Sequence, residues 1–315
     1  MVTGRFAPSP TGRLHVGNLR TGLVAWLSAR GRGSTFLVRF EDLDSGAVRD
    51  EHYRSQLDDL RAFGLDWDGP VVRQSDRRPR YTEALDRLVA DDLVYPCFCS
   101  RREIREAARA PNLAHAGHHY PGTCRHLSSA QRTERSLTRD PALRLRAGSA
   151  MRAFDDLVMG SCRFDIDDFV VRRNDGTPAY HLVVVVDDAE QGVDLVVRAD
   201  DLLESTSRHL LLYELLGLAP PNHAHVPLVL APNGDRLAKR HGAVNLDDRA
   251  ELGEPPLQVM AFLASTLGLC TPEEAGGGDL RPTDLIDRFD FARLPHEPLT
   301  LPAHYLARST DRDVK

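Results

Sequence analysis

Lysine is almost absent from this sequence. Lys239 and the final residue, Lys315, are the two lysines among 40 basic residues, so arginine supplies nearly every positive charge. An ammonium group on a flexible stem differs in chemistry from a planar guanidinium, which indicates a specific need for lysine at position 239. The formal net charge of −6 also excludes the overall basicity of a protein that binds nucleic acid regardless of sequence. Any contact with RNA therefore depends on local groups of arginines.

Long apolar runs and a leader sequence are lacking as well. The most apolar stretch, residues 182–186, is far shorter than the roughly 18 to 20 residues of a membrane span. The first residues, MVTGRFAPSPTG, lack the charged and apolar segments of a signal peptide, so we expect a cytoplasmic protein. A hydrophobic content of 42% over 315 residues is enough to bury the core of about two domains.

Cysteine is scarce and unevenly placed. Three of the five cysteines, Cys97, Cys99 and Cys124, lie close together in the chain, and the odd total favours a metal site over a disulfide framework. Three thiolates and one further ligand make a tetrahedral structural zinc site. The same segment offers Tyr120 and three histidines, namely His115, His118 and His119. On chemistry alone the histidines are better ligands than a phenol, so the fourth ligand stays open.

The first 63 residues alternate between the hydrophobic patterns of strands and helices. Strands are predicted over 4–8 and 35–40, and helices over 14–27 and 48–63. A loop rich in proline and glycine joins the first strand to the first helix. Alternation of this kind predicts an α/β fold around a parallel sheet.

The later part of the chain resumes this pattern after a segment of weak periodicity between about 96 and 148. Strands are predicted over 182–188, 194–201 and 226–230, and a helix over 202–216 that ends at Gly217. The first two runs are strongly apolar and end in carboxylates, as expected for strands buried on both faces of a sheet. The segments predicted along the chain are the first half of an α/β domain (1–95), an insertion that carries the candidate zinc ligands (96–150), the second half of the α/β domain (151–245), a helical C-terminal region (246–307) and a disordered tail (308–315).

Residues 6–18, FAPSPTGRLHVGN, connect the first predicted strand to the first helix. The prolines stiffen this turn, and Gly12 and Gly17 allow close approach of the backbone to a ligand. A helix N-terminus offers free N–H groups and a favourable dipole to phosphate. His15 and Asn18, near the start of the helix, are placed to donate hydrogen bonds to an α-phosphate as charge develops on it.

This segment resembles the HIGH motif of class I aminoacyl-tRNA synthetases, in the RFAPSPTG version of the glutamyl and glutaminyl branch, with Asn18 in place of the final histidine. RLAKR, residues 236–240, resembles the KMSKS loop of the same class, in which Arg236 and Ala238 depart from the pattern and Lys239 keeps its type. The resemblance implies a Rossmann-type catalytic domain that uses ATP with Mg²⁺. It implies catalytic roles for His15, Asn18 and Lys239, and ATP binding by His15, Gly17, Asn18 and Lys239.

An amino acid with two carboxylates and one ammonium group requires a buried arginine and an acidic partner, because unpaired charges are costly to desolvate. Several polar residues lie at the ends of predicted strands, where open parallel sheets bind ligands: Arg5, Ser9, Glu41, Tyr180 and Arg198. The resemblance implies a glutamate site formed by Arg5, Phe6, Ala7, Pro8, Ser9, Glu41, Tyr180 and Arg198, with Glu41 on the ammonium group. Asp187 and Asp188 stay outside this site, since a capping or hydrogen-bonding role explains them equally well.

The resemblance also assigns the metal ligands and the acceptor. It implies one structural zinc ion per chain, bound by Cys97, Cys99, Tyr120 and Cys124. Full-length glutamyl-tRNA synthetases continue into a helical part that reads the anticodon and carry an asparagine where this sequence has Val184, whereas this sequence ends at 315. In both respects it resembles the stand-alone glutamyl-Q tRNA(Asp) synthetases. This implies a monomer that transfers activated L-glutamate to the queuosine base at the wobble position of tRNA(Asp).

Two other functions remain open on the sequence alone. The chain could be a truncated glutamyl-tRNA synthetase that charges the 3′ end of tRNA(Glu). It could also be an inactive paralogue that acts as an RNA-binding or regulatory module, a hypothesis based on the departures at Asn18, Arg236 and Ala238. Retention of the charged residues of the predicted pocket favours an active enzyme.

Overall fold

The computed structural model describes residues 3–44, 46–108, 120–148, 151–237, 242 and 244–306. The strands within these ranges are β1 Gly4–Phe6, β2 Phe36–Phe40, β3 Val72–Arg73, β4 Val94–Cys97, β5 Ala142–Leu145, β6 Met151–Asp156, β7 Gly160–Asp165, β8 Val170–Arg172, β9 Leu195–Ala199, β10 Asn222–Val226, β11 Val229–Leu230 and β12 Leu299–Thr300. The α-helices are α1 Val16–Arg30, α2 Asp50–Ala62, α3 Arg78–Ala90, α4 Arg101–Ala108, α5 Ser129–Ser136, α6 Tyr180–Glu190, α7 Leu203–Leu216, α8 Leu246–Glu251, α9 Pro256–Ser265, α10 Pro272–Gly276 and α11 Ala303–Leu306. None of the helices in these ranges is both long and apolar enough to cross a membrane.

A seven-stranded sheet in the order β3-β2-β1-β9-β10-β6-β7 forms the centre of the molecule. Its neighbouring strands are parallel except for the antiparallel hairpin of β6 and β7. The chain therefore builds the sheet from two parts, residues 4–73 and residues 151–226. The predicted α/β fold of the Rossmann type is confirmed.

The two faces of this sheet differ in chemistry because side chains alternate along each strand. One face presents apolar residues such as Phe6, Val38 and Val197 to a core that includes α1 and α9. The other face carries a row of buried polar side chains on adjacent strands: Arg39 on β2, Arg5 on β1, Arg198 on β9 and His225 on β10. The candidate site is built on this polar face.

A separate small sheet combines two strands from between the two parts of the large sheet, β4 and β5, with β8 from within the second part. Strands β4, β5 and β8 pair antiparallel in that order. Cys97, at the end of β4, joins Tyr95, Phe98, Tyr120 and Cys124 in a small buried cluster of its own. This cluster holds the residues predicted to bind metal.

Residues 182–188 form part of helix α6, and the prediction of a strand there was wrong. All seven of these residues are buried, so the run carries no polar face by which a helical period could be recognised. A short, fully buried apolar run cannot be assigned from periodicity alone, and its four consecutive valines favoured a strand. Tyr180 is consequently the first residue of a helix rather than a residue at a strand end. Val184 is buried within the same helix.

The other predicted elements in this part of the chain differ less from the observed ones. The prediction of one strand over 226–230 corresponds to the end of β10 and the separate β11. β10 begins at Asn222, and His223 and His225 of NHAHV are both buried on the polar face of the sheet. The predicted strand over 194–201 and helix over 202–216 are confirmed as β9 and α7, and Gly217 ends α7 in the left-handed conformation.

Candidate active site and metal centre

A cavity of about 510 Å³ opens at the carboxyl ends of β1 and β9. Its lining includes every predicted glutamate-binding and ATP-binding residue that the structure describes: Arg5, Phe6, Ala7, Pro8, Ser9, His15, Gly17, Asn18, Glu41, Tyr180 and Arg198. Residues far apart in the chain thus meet at one edge of the sheet, as expected for a ligand site in an open parallel sheet. Lys239 lies outside the described residues.

His15 and Asn18 close the N-terminus of α1 by a reciprocal capping box. The Asn18 backbone N–H donates to His15 Nδ1 at 3.2 Å, and the His15 backbone N–H donates to Asn18 Oδ1, also at 3.2 Å. Burial lowers the pKa of His15 to about 4, so the ring is neutral near pH 7. Because Nδ1 accepts, the ring proton lies on Nε2, which leaves one N–H donor for a ligand.

Close packing at Gly17 and two hydrogen bonds from Gln56 shape the turn around this capping box. A Cβ at Gly17 would lie 3.0 Å from His15 Nδ1 and 3.3 Å from the Val229 Cβ, which explains the absence of a side chain there. Gln56, buried on α2, donates from Nε2 to the carbonyls of Ser9 at 3.0 Å and Gly12 at 2.6 Å. Gln56 therefore holds the loop between β1 and α1, and the lack of a side chain at Gly17 leaves room for the His15 ring.

Glu41 follows β2 and supplies the acidic group of the cavity. Its backbone N–H donates to the Pro8 carbonyl at 3.0 Å, which joins the loops that follow β1 and β2. Burial raises the pKa of Glu41 to about 7, although the nearby guanidinium groups of Arg39 and Arg5 lower it. A cationic ligand beside this carboxylate would replace solvent and favour its ionised form.

Arg5 and Arg39 share one buried carboxylate. Asp188, on α6, accepts from Arg5 Nε at 3.2 Å and from Arg39 Nη1 at 2.7 Å. Arg5 also donates from Nη2 to Asp188 and from Nη1 to the Val197 carbonyl. Asp187 accepts from Arg77 and Tyr81, so both carboxylates have a hydrogen-bonding role. They orient the arginines and do not line the cavity.

Arg198 is held in a different way, by neutral acceptors. Its Nε donates to His225 Nε2 at 3.0 Å, and its Nη1 reaches the Tyr180 hydroxyl at 3.3 Å and His209 Nδ1 at 3.2 Å. Its Nη2 donates to the Leu202 carbonyl and to Thr206 Oγ1. Sequence reasoning missed His209, His225 and Thr206, and the polar, histidine-rich pattern of NHAHV in a central strand was the one available signal.

The structure describes only part of the segment that resembles the KMSKS loop, residues 236–240. Arg236 lines the cavity and forms an ion pair with Asp201 at 2.8 Å. Ala238, Lys239 and Arg240 lie outside the described residues. The predicted role of Lys239 therefore stays a prediction.

The Cys97, Cys99 and Cys124 thiols form a cluster whose sulfur atoms all lie within 4.8 Å of one another. The Cys99 and Cys124 sulfurs are 3.5 Å apart, and the Tyr120 hydroxyl lies 3.4 Å from the Cys97 sulfur and 3.8 Å from the Cys99 sulfur. A tetrahedral zinc ion with Zn–S bonds of about 2.3 Å requires sulfurs about 3.8 Å apart. The group therefore fits a zinc ion, while His115, His118 and His119 lie outside the described residues.

Cationic and polar neighbours support thiolates in this cluster. Arg144 donates from Nε to the Cys97 sulfur at 3.2 Å and stacks on the Tyr120 ring, with its guanidinium carbon 3.8 Å from the ring centre. The Phe98 backbone N–H donates to the Cys124 sulfur. Hydrogen bonds from Cys99 and Tyr120, together with the positive charge of Arg144, lower the pKa of the Cys97 thiol. Such surroundings are typical of metal-binding cysteines.

Comparison with known proteins places this architecture in a family. The family model for the catalytic domain of class I tRNA synthetases (E and Q) matches residues 1–276. The chain belongs to this family. It is 55% identical to a glutamyl-Q tRNA(Asp) synthetase of Nocardia farcinica, over 95% of this chain and 92% of that protein. It is 46% identical to a glutamyl-Q tRNA(Asp) synthetase of Symbiobacterium thermophilum, over 98% of each chain.

A solved structure agrees with this membership of the E and Q synthetases. The glutamate tRNA ligase of Elizabethkingia meningosepticum, crystallised with its amino acid, superposes with a TM-score of 0.79 and 26% identity. The match covers 96% of this chain and 67% of that chain. The family and the fold that the HIGH-like segment predicted are both confirmed.

Proposed function

We propose that this synthetase uses ATP to activate L-glutamate and then transfers the glutamyl group to the queuosine base of tRNA(Asp). One observation carries the first half of this proposal: a single cavity combines Arg5 and Arg198 with Glu41 and the capping box of α1. Guanidinium groups suit the two carboxylates of glutamate, and a carboxylate suits its ammonium group. The phosphate-binding helix end lies in the same cavity, as adenylate formation requires.

In the activation step, an oxygen of the glutamate α-carboxylate attacks the α-phosphorus of ATP, and pyrophosphate leaves. Glu41 in its ionised form pairs with the ammonium group, while Arg5, Tyr180 and Arg198 contact the carboxylates. Ala7, Pro8 and Ser9 also line the cavity. No side chain in this arrangement acts as a nucleophile, so positioning and charge stabilisation supply the rate enhancement.

The phosphate groups are assigned to the start of α1. His15 donates from Nε2 and Asn18 from its side-chain amide to the α-phosphate oxygens, whose charge increases in the transition state. Gly17 allows the phosphate to approach the backbone, and Lys239 follows the departing pyrophosphate. Mg²⁺ would accompany ATP and neutralise part of the phosphate charge.

In the transfer step, a hydroxyl of the cyclopentenediol ring of queuosine attacks the glutamyl carbonyl carbon, and AMP leaves. The acceptor is proposed from the names of the relatives in Nocardia and Symbiobacterium. A second cavity, of about 1050 Å³, adjoins the first at Ser9, Glu41 and Tyr180 and extends to Cys97 and Cys99. It offers a path by which an RNA loop reaches the activated carbonyl. The proposed location of the reaction is the cytoplasm, where the tRNA is found.

The cluster of Cys97, Cys99, Tyr120 and Cys124 would hold one structural zinc ion. Zinc would cross-link the end of β4 to the loop at 120–124 and so fix one wall of the second cavity. A zinc ion in this cluster has no part in either chemical step. Its proposed contribution is the shape of the surface that the RNA meets.

The decisive experiment compares two preparations of tRNA(Asp), one with queuosine and one without it, as acceptors of radiolabelled glutamate. We expect label on the first and none on the second, and no label on tRNA(Glu). Equal labelling of both tRNA(Asp) preparations, or labelling of tRNA(Glu), would refute the queuosine acceptor. Failure to exchange pyrophosphate in the presence of glutamate would refute activation itself and favour an inactive paralogue.

A further inference from the structure

The way Arg198 is held differs from the way its neighbours are held. Arg5 and Arg39 both donate to the Asp188 carboxylate, which offsets their charge. The five N–H groups of Arg198 instead meet five uncharged acceptors. Within the described ranges, no carboxylate forms an ion pair with Arg198, although its side chain is only 6% exposed. A buried charge without a counter-ion is costly unless a ligand supplies one.

The hydrogen-bond directions around Arg198 follow from its chemistry. A guanidinium only donates, so His225 Nε2 accepts and the ring proton of His225 lies on Nδ1. That proton is donated to Asp156 Oδ2, 2.6 Å away. His209 Nδ1 likewise accepts from Arg198, so His209 donates from Nε2 to His181 Nδ1 at 3.1 Å. Each histidine is thereby restricted to one neutral tautomer.

The register of β9 with β10 brings Arg198 and His225 together. Arg198 on β9 and His225 on β10 are direct partners in the parallel pair, so their side chains lie side by side on the same face. His225 is completely buried, and His209 on α7 is almost so. Asp156, at the end of β6, accepts from Nδ1 of His225, on the side of the ring that faces away from Arg198. The guanidinium is therefore held through His225 by strands β10 and β6, and through His209 by helix α7.

We propose that Asp156, His225 and His209 are positioning residues that hold Arg198 through neutral acceptors, so that its positive charge stays available to a carboxylate of the substrate. This inference rests on the proposed activation of glutamate. Two partners of Arg198, Tyr180 and Leu202, also line the cavity with it, and the Tyr180 contact of 3.3 Å is the longest of the five. A substrate carboxylate would share or replace that contact. The other acceptors would keep the guanidinium in place.

Asp156→Asn tests the proposal with almost no change in shape. Three backbone N–H groups, those of Val158, Met159 and His225, donate to Asp156 Oδ1. They fix the orientation of the new amide, whose NH₂ group then faces His225 Nδ1. His225 must switch its proton to Nε2, and that N–H opposes the Nε–H of Arg198. We expect the KM for glutamate to rise about 10- to 100-fold, with kcat and the KM for ATP within about twofold of wild type.

A second variant separates positioning from a general loss of structure. In His225→Gln, the side-chain oxygen accepts from Arg198 without any dependence on tautomer, so this variant should stay within a few-fold of wild type in the KM for glutamate. In that background Asp156→Asn should add little. If Asp156→Asn leaves the KM for glutamate unchanged, or raises it equally with Gln at 225, the proposal is overturned.

Nuclear magnetic resonance of ¹⁵N-histidine-labelled protein gives a readout that does not depend on activity. The signal lost in His225→Gln identifies His225, and we expect a protonated Nδ1 and an unprotonated Nε2 in the wild type, with the reverse in Asp156→Asn. A wild-type His225 protonated on Nε2 would refute the arrangement. If the wild type fails to exchange pyrophosphate with glutamate while the spectrum is as expected, the proposed function fails and the arrangement stands.

Discussion

Gly17→Ala should impair catalysis with little effect on stability. The new methyl group would lie 3.0 Å from His15 Nδ1 and 3.1 Å from His15 Cε1, so the ring must move by a few tenths of an ångström. Val229 on the other side, at 3.3 Å, prevents the helix from moving instead. Replacing glycine by alanine in a helix gains about 1 kcal/mol, and disturbing the capping box costs about 1 kcal/mol. The free energy of unfolding should therefore change by less than about 1 kcal/mol.

Activity should respond much more strongly, because a displaced His15 no longer aims its Nε2 proton at the α-phosphate. We expect glutamate-dependent pyrophosphate exchange to fall about 10- to 100-fold. Gly22→Ala is the matched control, since its methyl group would meet the Phe6 ring at an ordinary 3.5 Å in the same helix. That variant should gain stability and keep full activity. Equal activity of the two variants, with equal stability in urea, would refute the role assigned to the His15 ring.

Four further outcomes can be measured. Glu41 has a pKa raised to about 7 and must be ionised to bind an ammonium group, so the KM for glutamate should fall about tenfold per pH unit as pH rises towards 7 and level off above it. A wild-type KM that does not change with pH, as expected for Glu41→Gln, would contradict this role of Glu41. Asp188→Asn should lower the free energy of unfolding by about 3 to 5 kcal/mol in urea, because two buried arginines lose their shared counter-ion. Cys124→Ser should reduce bound zinc to background by atomic emission, whereas Cys162→Ser, outside the cluster, should retain it. Lys239→Ala should abolish pyrophosphate exchange, and unchanged exchange would refute the role proposed for this lysine.

The predicted site residues that the structure describes line one cavity because two general rules act together there. Ligands of open parallel sheets lie at the carboxyl ends of strands, and Arg5, Glu41 and Arg198 all lie at or next to such ends. Proline and glycine mark the turn before α1, and His15 begins that helix. These signals are local, so they can be recognised without knowledge of the tertiary structure.

The partners of Arg198 could not be predicted in the same way. Asp156, His209 and His225 are far apart in the chain, and their contact depends on the register of β9 with β10 and on the position of α7. A buried histidine and an exposed one look alike in a sequence. The helix α6 was missed for a related reason, since burial on every side removed the polar positions that reveal a helical period.

The two hydrogen bonds from Gln56 to the loop between β1 and α1 have a kinetic consequence. A loop whose carbonyls are already bound loses its conformational entropy when the chain folds, and not when the nucleotide arrives. On this side of the cavity ATP meets a surface of fixed shape. Its association rate there should accordingly be limited by diffusion and by charge, with no slow ordering step.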